Sequence, residues 1–126
     1  MELNYDLVRD ILIEYAQSEH TSGPTAQELI DFAAKKECSY DELTFTLAKM
    51  YEGGLITKSP QLIGNSYKIT EPGNLTWQGN EYLNSVRTQN VWNEAKNKIK
   101  ELGLKVSFET IAFLAKSIVA KKLGLS

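Results

Sequence analysis

The fold is decided by residues 39–69, which read SYDELTFTLAKMYEGGLITKSPQLIGNSYKI. Ser39 and Glu42 match the S-x-x-E capping box, in which each side chain accepts a hydrogen bond from a backbone N–H at the start of a helix. The apolar residues that follow at helical spacing are Leu43, Leu47 and Met50. Gly53-Gly54 ends this helix, because glycine adopts the left-handed C-cap conformation without steric cost.

Two short strands are predicted after the double glycine. Leu55–Thr57 and Tyr67–Ile69 have the apolar, β-branched and aromatic character of strands, and the loop between them contains Ser59-Pro60 and Gly64-Asn65. A helix that runs into a hairpin is the second half of a winged helix-turn-helix. The sequence therefore predicts a mainly α fold with a small β-hairpin, a winged helix-turn-helix followed by C-terminal helices.

Two helices are predicted before this segment. Asn4 can cap the first helix, which should end near Ser18, and Thr25 with Glu28 repeats the capping box at the start of the second. Only Glu37 and Cys38 separate the basic end of the second helix from the capping serine of the third. So short a connection forces these two helices to cross sharply, as a helix-turn-helix requires.

Three more helices are predicted after the hairpin, capped by Thr76, Asn90 and Ser107, and Gly79 should allow a neighbour to approach the first of them closely. We expect residues 1–88 to form the winged-helix domain and residues 89–126 to pack on it or to dimerise. The broad apolar arc of the last helix favours a homodimer through that helix. Ile111 and Ile118 of this arc should lie in the dimer contact, and Phe113, outside the arc, also favours pairing.

The charge distribution weighs against nucleic acid. The 126 residues have a net charge of −2, but residues 1–54 contain four Lys and Arg against eleven Asp and Glu, a balance of −7. Residues 55–126 contain ten against five, a balance of +5. Proteins that bind nucleic acid concentrate Lys and Arg where the phosphates lie. Here the predicted recognition helix lies in the acidic part of the chain.

The candidate contact residues lie on the third helix and on the hairpin. They are Thr44, Phe45, Lys49, Lys58, Asn65 and Lys68. Phe45 either packs under the hairpin or against the second helix, or it is exposed and contacts a protein partner or a thymine methyl group. The hairpin lysines either contact phosphate or protect an edge strand.

Other residue patterns exclude several kinds of site. No arginine lies between Arg9 and Arg87, so the third helix cannot supply the common bidentate contact of arginine with guanine. Trp77 and Trp92 should hold helices together. A single cysteine, and the absence of a glycine-rich phosphate loop or a metal-ligand pattern, predict no enzyme, no cofactor, no metal and no small-molecule substrate.

No apolar run reaches the length of a membrane span and no signal peptide is evident, so we expect a cytoplasmic protein without membrane contact.

Several stretches resemble a known family. They are LNYDLVRDIL at 3–12, GLI at 54–56, LTWQGNEYL at 75–83, VW at 91–92 and KKLGL at 121–125. They are similar to an uncharacterised family of bacteria and their prophages, domain of unknown function 2513. Relatives often carry histidines where this chain has Thr46 and Asn80. The resemblance implies a winged-helix fold and a phage or prophage context, and it implies no activity.

Two functional hypotheses follow. The first is a winged-helix DNA-binding regulator of phage or prophage type, with the third helix in the major groove and the hairpin lysines on phosphate. The alternative is an acidic winged-helix module that binds a protein partner and no nucleic acid, because an acidic surface repels DNA and suits a basic protein.

Overall fold

Residues 1–125, which the computed structural model describes, form six helices and one two-stranded antiparallel sheet. In chain order these are α1 Tyr5–Ala16, α2 Ala26–Lys35, α3 Tyr40–Glu52, β1 Gln61–Ile63, β2 Ser66–Lys68, α4 Trp77–Val86, α5 Gln89–Leu102 and α6 Phe108–Lys122. The predicted class, mainly α with a small β-hairpin, is confirmed. The chain divides into two compact units, residues 1–80 and residues 81–126, so that the division falls within α4. The domain boundary predicted from the sequence is residue 88.

The helix starts follow the predicted caps. The Asn4 side chain accepts hydrogen bonds from the backbone of α1, and both predicted capping boxes form, Thr25 with Glu28 and Ser39 with Glu42. Each of these side chains satisfies a backbone donor that a helix start leaves without an intrahelical acceptor. The fifth helix differs from its prediction. It begins at Gln89, one residue before the predicted cap, and its N-cap residue makes no side-chain hydrogen bond.

Replacing Ser39 with alanine should lower the free energy of unfolding by about 1 kcal/mol, because the Glu42 N–H loses its acceptor at 3.1 Å. Urea unfolding followed by circular dichroism measures this change. Ser22→Ala is the control, since Ser22 is exposed and lies in the turn before α2. Its effect should stay within about 0.5 kcal/mol. Equal losses in the two variants would show that the cap contributes nothing specific.

The first unit has its core among α1, α2 and α3, which pack against one another. The side chains that are at most 1% exposed there are Val8, Ile11, Leu12, Leu29, Leu43, Leu47 and Met50. The apolar stripe predicted for α3 is therefore confirmed.

The first predicted strand of the hairpin is wrong. Leu55 and Ile56 are buried, and Ile56 makes only an isolated bridge with Leu75, whereas the hairpin strands are β1 and β2. The apolar character of residues 55–57 comes from closing the core and not from pairing in the hairpin. The hairpin turn is Gly64-Asn65, with a φ of +66° at the glycine. Glycine at the first central position of a two-residue turn is typical of a type II′ hairpin.

Hydrogen bonds hold the base of the hairpin against α1 and the turn that follows α1. The Tyr15 hydroxyl donates to the Pro72 carbonyl at 2.8 Å, and the Asn74 side-chain amide donates to the Thr21 carbonyl at 2.8 Å. Burial raises the pKa of Tyr15 far above its usual value, so this hydroxyl remains a donor. The hairpin therefore projects from a fixed base.

The start of α4 packs closely on the residues that follow α3. The Thr76 hydroxyl donates to the Gly54 carbonyl and accepts from the Gly79 N–H. A Cβ atom built on Gly79 would lie 2.1 Å from the Leu55 carbonyl oxygen. The predicted need for glycine at a close approach is confirmed.

The second unit has its own buried residues, among which α5 packs against α6. These residues are Tyr82, Leu83, Val86, Val91, Trp92, Ala95, Ile99, Ile111, Ala115 and Ile118. The Tyr82 and Phe108 rings meet edge to face, with centroids 5.2 Å apart, and Lys122 pairs with Glu94 at 3.0 Å.

Three predictions about large apolar side chains are decided by burial. Trp92 is buried, as predicted, but Trp77 is 78% exposed, so its predicted role as a clamp between helices is wrong. Ile111 and Ile118 are buried, and their predicted place in an exposed dimer contact is also wrong. The apolar arc of α6 was predicted to contact a second copy of the chain. These two isoleucines instead pack in the core of their own unit.

Candidate functional site

The candidate site consists of the outward side of α3 and the hairpin that follows it. We call residues 61–68 the wing. The third helix lies against β2, and the Tyr40 hydroxyl accepts a hydrogen bond from the Ile69 N–H at 3.0 Å. This bond ties the start of α3 to the residue after the wing. The two parts therefore present a joint surface.

Thr44 does not belong to this surface. Its side chain is only 2% exposed, and its hydroxyl donates to the carbonyls of Tyr40 at 3.0 Å and Asp41 at 3.2 Å. A threonine hydroxyl that bonds to the preceding helical turn satisfies its own polar group and can be buried. Its predicted outward position is therefore wrong.

Phe45 and Lys49 lie together on α3. Phe45 is half-buried, and the Lys49 ammonium lies 5.8 Å from the centroid of its ring. The same ammonium forms an ion pair with Glu52 at 3.0 Å. The helix itself therefore supplies a carboxylate partner for this exposed charge.

The three predicted residues on or next to the wing differ in their surroundings. Lys58, before β1, pairs with Glu71 at 3.6 Å. Asn65 is exposed at the turn, and Lys68 is exposed on β2 opposite Gln61. Two of the three predicted lysines thus have carboxylate partners, and the six predicted residues do not form one basic cluster.

The exposed charges of α3 are mainly acidic. Asp41, Glu42 and Glu52 are exposed on this helix, with Lys49 as the single opposing charge. A helix placed in a DNA groove would bring these carboxylates towards phosphates, which is unfavourable. The same charges are complementary to a basic protein surface.

The wing exposes apolar side chains, and two of them, Leu62 and Ile63, lie in the stretch predicted as a loop. Leu62 is 63% exposed, and Ile63 and Tyr67 are also exposed. Leu62 lies directly opposite Tyr67, so their side chains project from the same face of the hairpin. The adjacent pair Leu62-Ile63, between turn residues, was the signal in the sequence, because a surface loop has no core in which to bury it.

Other exposed aromatic side chains occur in the same unit. Tyr40 and Tyr51 on α3 are exposed, as is Trp77 at the start of α4. Tyrosine and tryptophan are enriched at the energetically dominant positions of protein interfaces. Trp77 was predicted to hold helices together, and Tyr40 and Tyr51 were not among the predicted contact residues.

The part of the chain that the structure describes contains no group of three or more His, Cys, Asp or Glu side chains arranged to hold a metal ion. Burial, with Glu42 nearby, raises the pKa of Cys38, which disfavours a nucleophilic thiolate there. Across residues 1–125, no helix combines the length and apolar character needed to cross a membrane.

Comparisons with known proteins agree with the resemblance noted from the sequence. The chain belongs to the family described as "Hypothetical protein (DUF2513)", whose profile matches residues 2–105. It is similar to an "Uncharacterized protein" of Haemophilus influenzae, with 29% identity over 124 residues, which is 98% of this chain and 100% of that protein. No solved structure matches the chain.

Proposed function

We propose that residues 1–80 form a winged helix-turn-helix that binds a basic protein partner through α3 and the wing. Three helices followed by a hairpin support the winged-helix assignment, since α2 and α3 are joined by a short turn and the wing follows α3. The bridge between Ile56 and Leu75 supplies the strand pairing at the base of the wing. The fold alone does not define the ligand.

One observation carries the choice of partner: the wing exposes Leu62, Ile63 and Tyr67, whereas contact with DNA phosphates would favour exposed cations there. Leu62 and Ile63 project into solvent beside a helix whose exposed charges are mainly carboxylates. Covering each of these side chains with a partner would contribute up to about 1.5–3 kcal/mol. Phosphate contacts would instead need available cations, and Lys49 and Lys58 are paired with glutamates.

The overall charge of this unit favours the same kind of partner. Residues 1–80 contain six Lys and Arg against twelve Asp and Glu, a balance of −6. Long-range attraction would speed the encounter with a basic protein, and contact of the wing would then hold the complex. A DNA-binding protein is one class of basic partner that such a surface could occupy in competition with DNA.

DNA binding is the second candidate. Its support is the proposed fold, together with the exposed Asn65 and Lys68 on the wing, which could lie along a phosphate backbone. The phage or prophage context implied by the resemblance fits a regulator of this type. Lys68 and Asn65 alone offer few contacts for such a role.

A titration with random-sequence duplex at low salt should show no binding up to about 100 μM protein, a range that covers ordinary non-specific affinity. The measurement is fluorescence anisotropy of a labelled duplex. Binding that weakens steeply as salt is added would overturn the protein-partner proposal in favour of DNA.

A matched variant makes this test sharper. Glu52→Gln with Glu71→Gln removes the carboxylate partners of Lys49 and Lys58 at exposed positions. We expect the double variant also to leave the duplex unbound, because the remaining surface lacks a basic cluster. If the double variant gains strong, salt-sensitive binding, Lys49 and Lys58 are placed to contact phosphate and are only masked by the two glutamates.

A further inference from the structure

The sixth helix carries a row of exposed residues on the side opposite its buried face. We call Glu109, Phe113, Ser117 and Lys121 the α6 ridge; all four are exposed, Phe113 by 69%. Phe113 and Ser117 lie about 20° on either side of the point opposite Ala115, which is fully buried. The ridge therefore runs along the outermost line of the helix.

A cavity opens beside this ridge between α5 and α6. Its volume is about 420 Å³, and its lining includes Phe113, Leu114, Ser117, Ile118 and Lys121 of α6 with Lys98 of α5. Cavities of about 300–1,000 Å³ hold small ligands, so this one can receive a phenyl ring. A large protruding side chain and a cavity that can accept it thus occur on the same surface.

The charges of the ridge are complementary to the ridge itself. When two copies of α6 meet antiparallel about a two-fold axis opposite Ala115, Phe113 of one copy lies opposite Ser117 of the other. The same arrangement places Glu109 of each copy opposite Lys121 of the other, because both residue pairs are centred on position 115. The large residue therefore meets a small one, and each acid meets a base.

From this pattern we infer that the α6 ridge is the contact between two copies of the chain. A two-fold contact uses the same surface on both partners, and that surface must then be complementary to itself. Rows of residues spaced four apart pack into the grooves of the facing helix when two helices cross at about −50°, and we expect this crossing here. The phenyl ring of each copy enters the cavity of the other.

Sedimentation equilibrium of the full chain tests this contact. The wild-type protein should show a dimer mass at high concentration and a reversible shift towards monomer on dilution. Phe113→Asp should weaken self-association about a hundredfold or more, because it places a carboxylate where the ring is covered. Leu123→Asp is the matched control. Leu123 is 67% exposed and lies at the end of α6, on the side that faces α4 and not on the ridge. It should leave the dimer unchanged.

A charge exchange tests the antiparallel arrangement. Glu109→Lys and Lys121→Glu should each weaken association about tenfold, because each turns two attractions into repulsions. Combining them restores opposite charges across the two-fold axis and should recover association close to wild type, which an unfolded variant cannot do. A monomer at every concentration, or a double variant that does not recover, would overturn the inference. Neither outcome bears on partner binding by α3 and the wing.

Discussion

Replacing Gly79 with alanine should lower the free energy of unfolding by about 3 kcal/mol, although alanine is the better helix former by about 1 kcal/mol. The added Cβ would lie 2.1 Å from the carbonyl oxygen and 3.0 Å from the carbonyl carbon of Leu55. These are backbone atoms, and the oxygen also accepts a hydrogen bond from the Thr76 N–H at 3.0 Å. Relief of the clash must therefore move the start of α4 away from Leu55.

Gly64→Ala is the control for this substitution. Gly64 has a φ of +66°, but nothing lies within 4 Å of a Cβ built there, so only the left-handed backbone conformation opposes alanine. That conformation costs about 1–2 kcal/mol. Urea unfolding curves of the two variants compare the steric and conformational effects directly. A Gly79→Ala protein at least as stable as wild type would show that α4 does not rest on Leu55 as described.

The helix starts could be predicted because their determinants are local. A capping box needs only two residues three positions apart, and Thr25, Glu28, Ser39 and Glu42 all adopt the predicted roles. The buried positions of α3 could be predicted in the same way, since helical spacing alone places Leu43, Leu47 and Met50 on one face. The overall class follows from such local patterns.

The errors concern residues whose role depends on distant parts of the chain. Leu55 and Ile56 have the composition of a strand, but which residues pair in the hairpin depends on the position of the turn. Trp77 has the size and apolar character of a core residue, but its position at the start of α4 leaves its side chain exposed. The ion pair between Lys58 and Glu71 forms across the two ends of the hairpin, so spacing along the chain does not predict it.

The buried position of Thr44 shows a further reason why the candidate site was hard to predict. A polar residue near an apolar stripe is usually assigned to the surface, but threonine can satisfy its hydroxyl within its own helix. Because Thr44 is buried, only Phe45 and Lys49 remain of the three contact residues predicted on α3. The larger apolar contribution comes from the wing, whose three-residue strands are too short to show a periodic pattern.

Replacing Leu62 with aspartate should weaken binding of the partner about thirtyfold or more while leaving the fold intact. Leu62 is 63% exposed, so the change removes little buried surface from the free protein, but it places a carboxylate in the apolar centre of the proposed interface. A photo-cross-linking amino acid at the neighbouring Ile63, in cells that encode the protein, would identify the partner. Titration calorimetry of the purified pair then measures the affinity of wild type and variant.

Leu102→Asp is the matched control, because Leu102 is 62% exposed and lies at the end of α5 in the other unit. It introduces the same charge at the same exposure and should leave the affinity unchanged. Thermal melting of both variants separates loss of binding from loss of folding. The proposed interface also requires the affinity of wild type to fall as salt rises, since the acidic unit would attract a basic partner. An affinity that Leu62→Asp leaves unchanged would place the interface elsewhere on the protein.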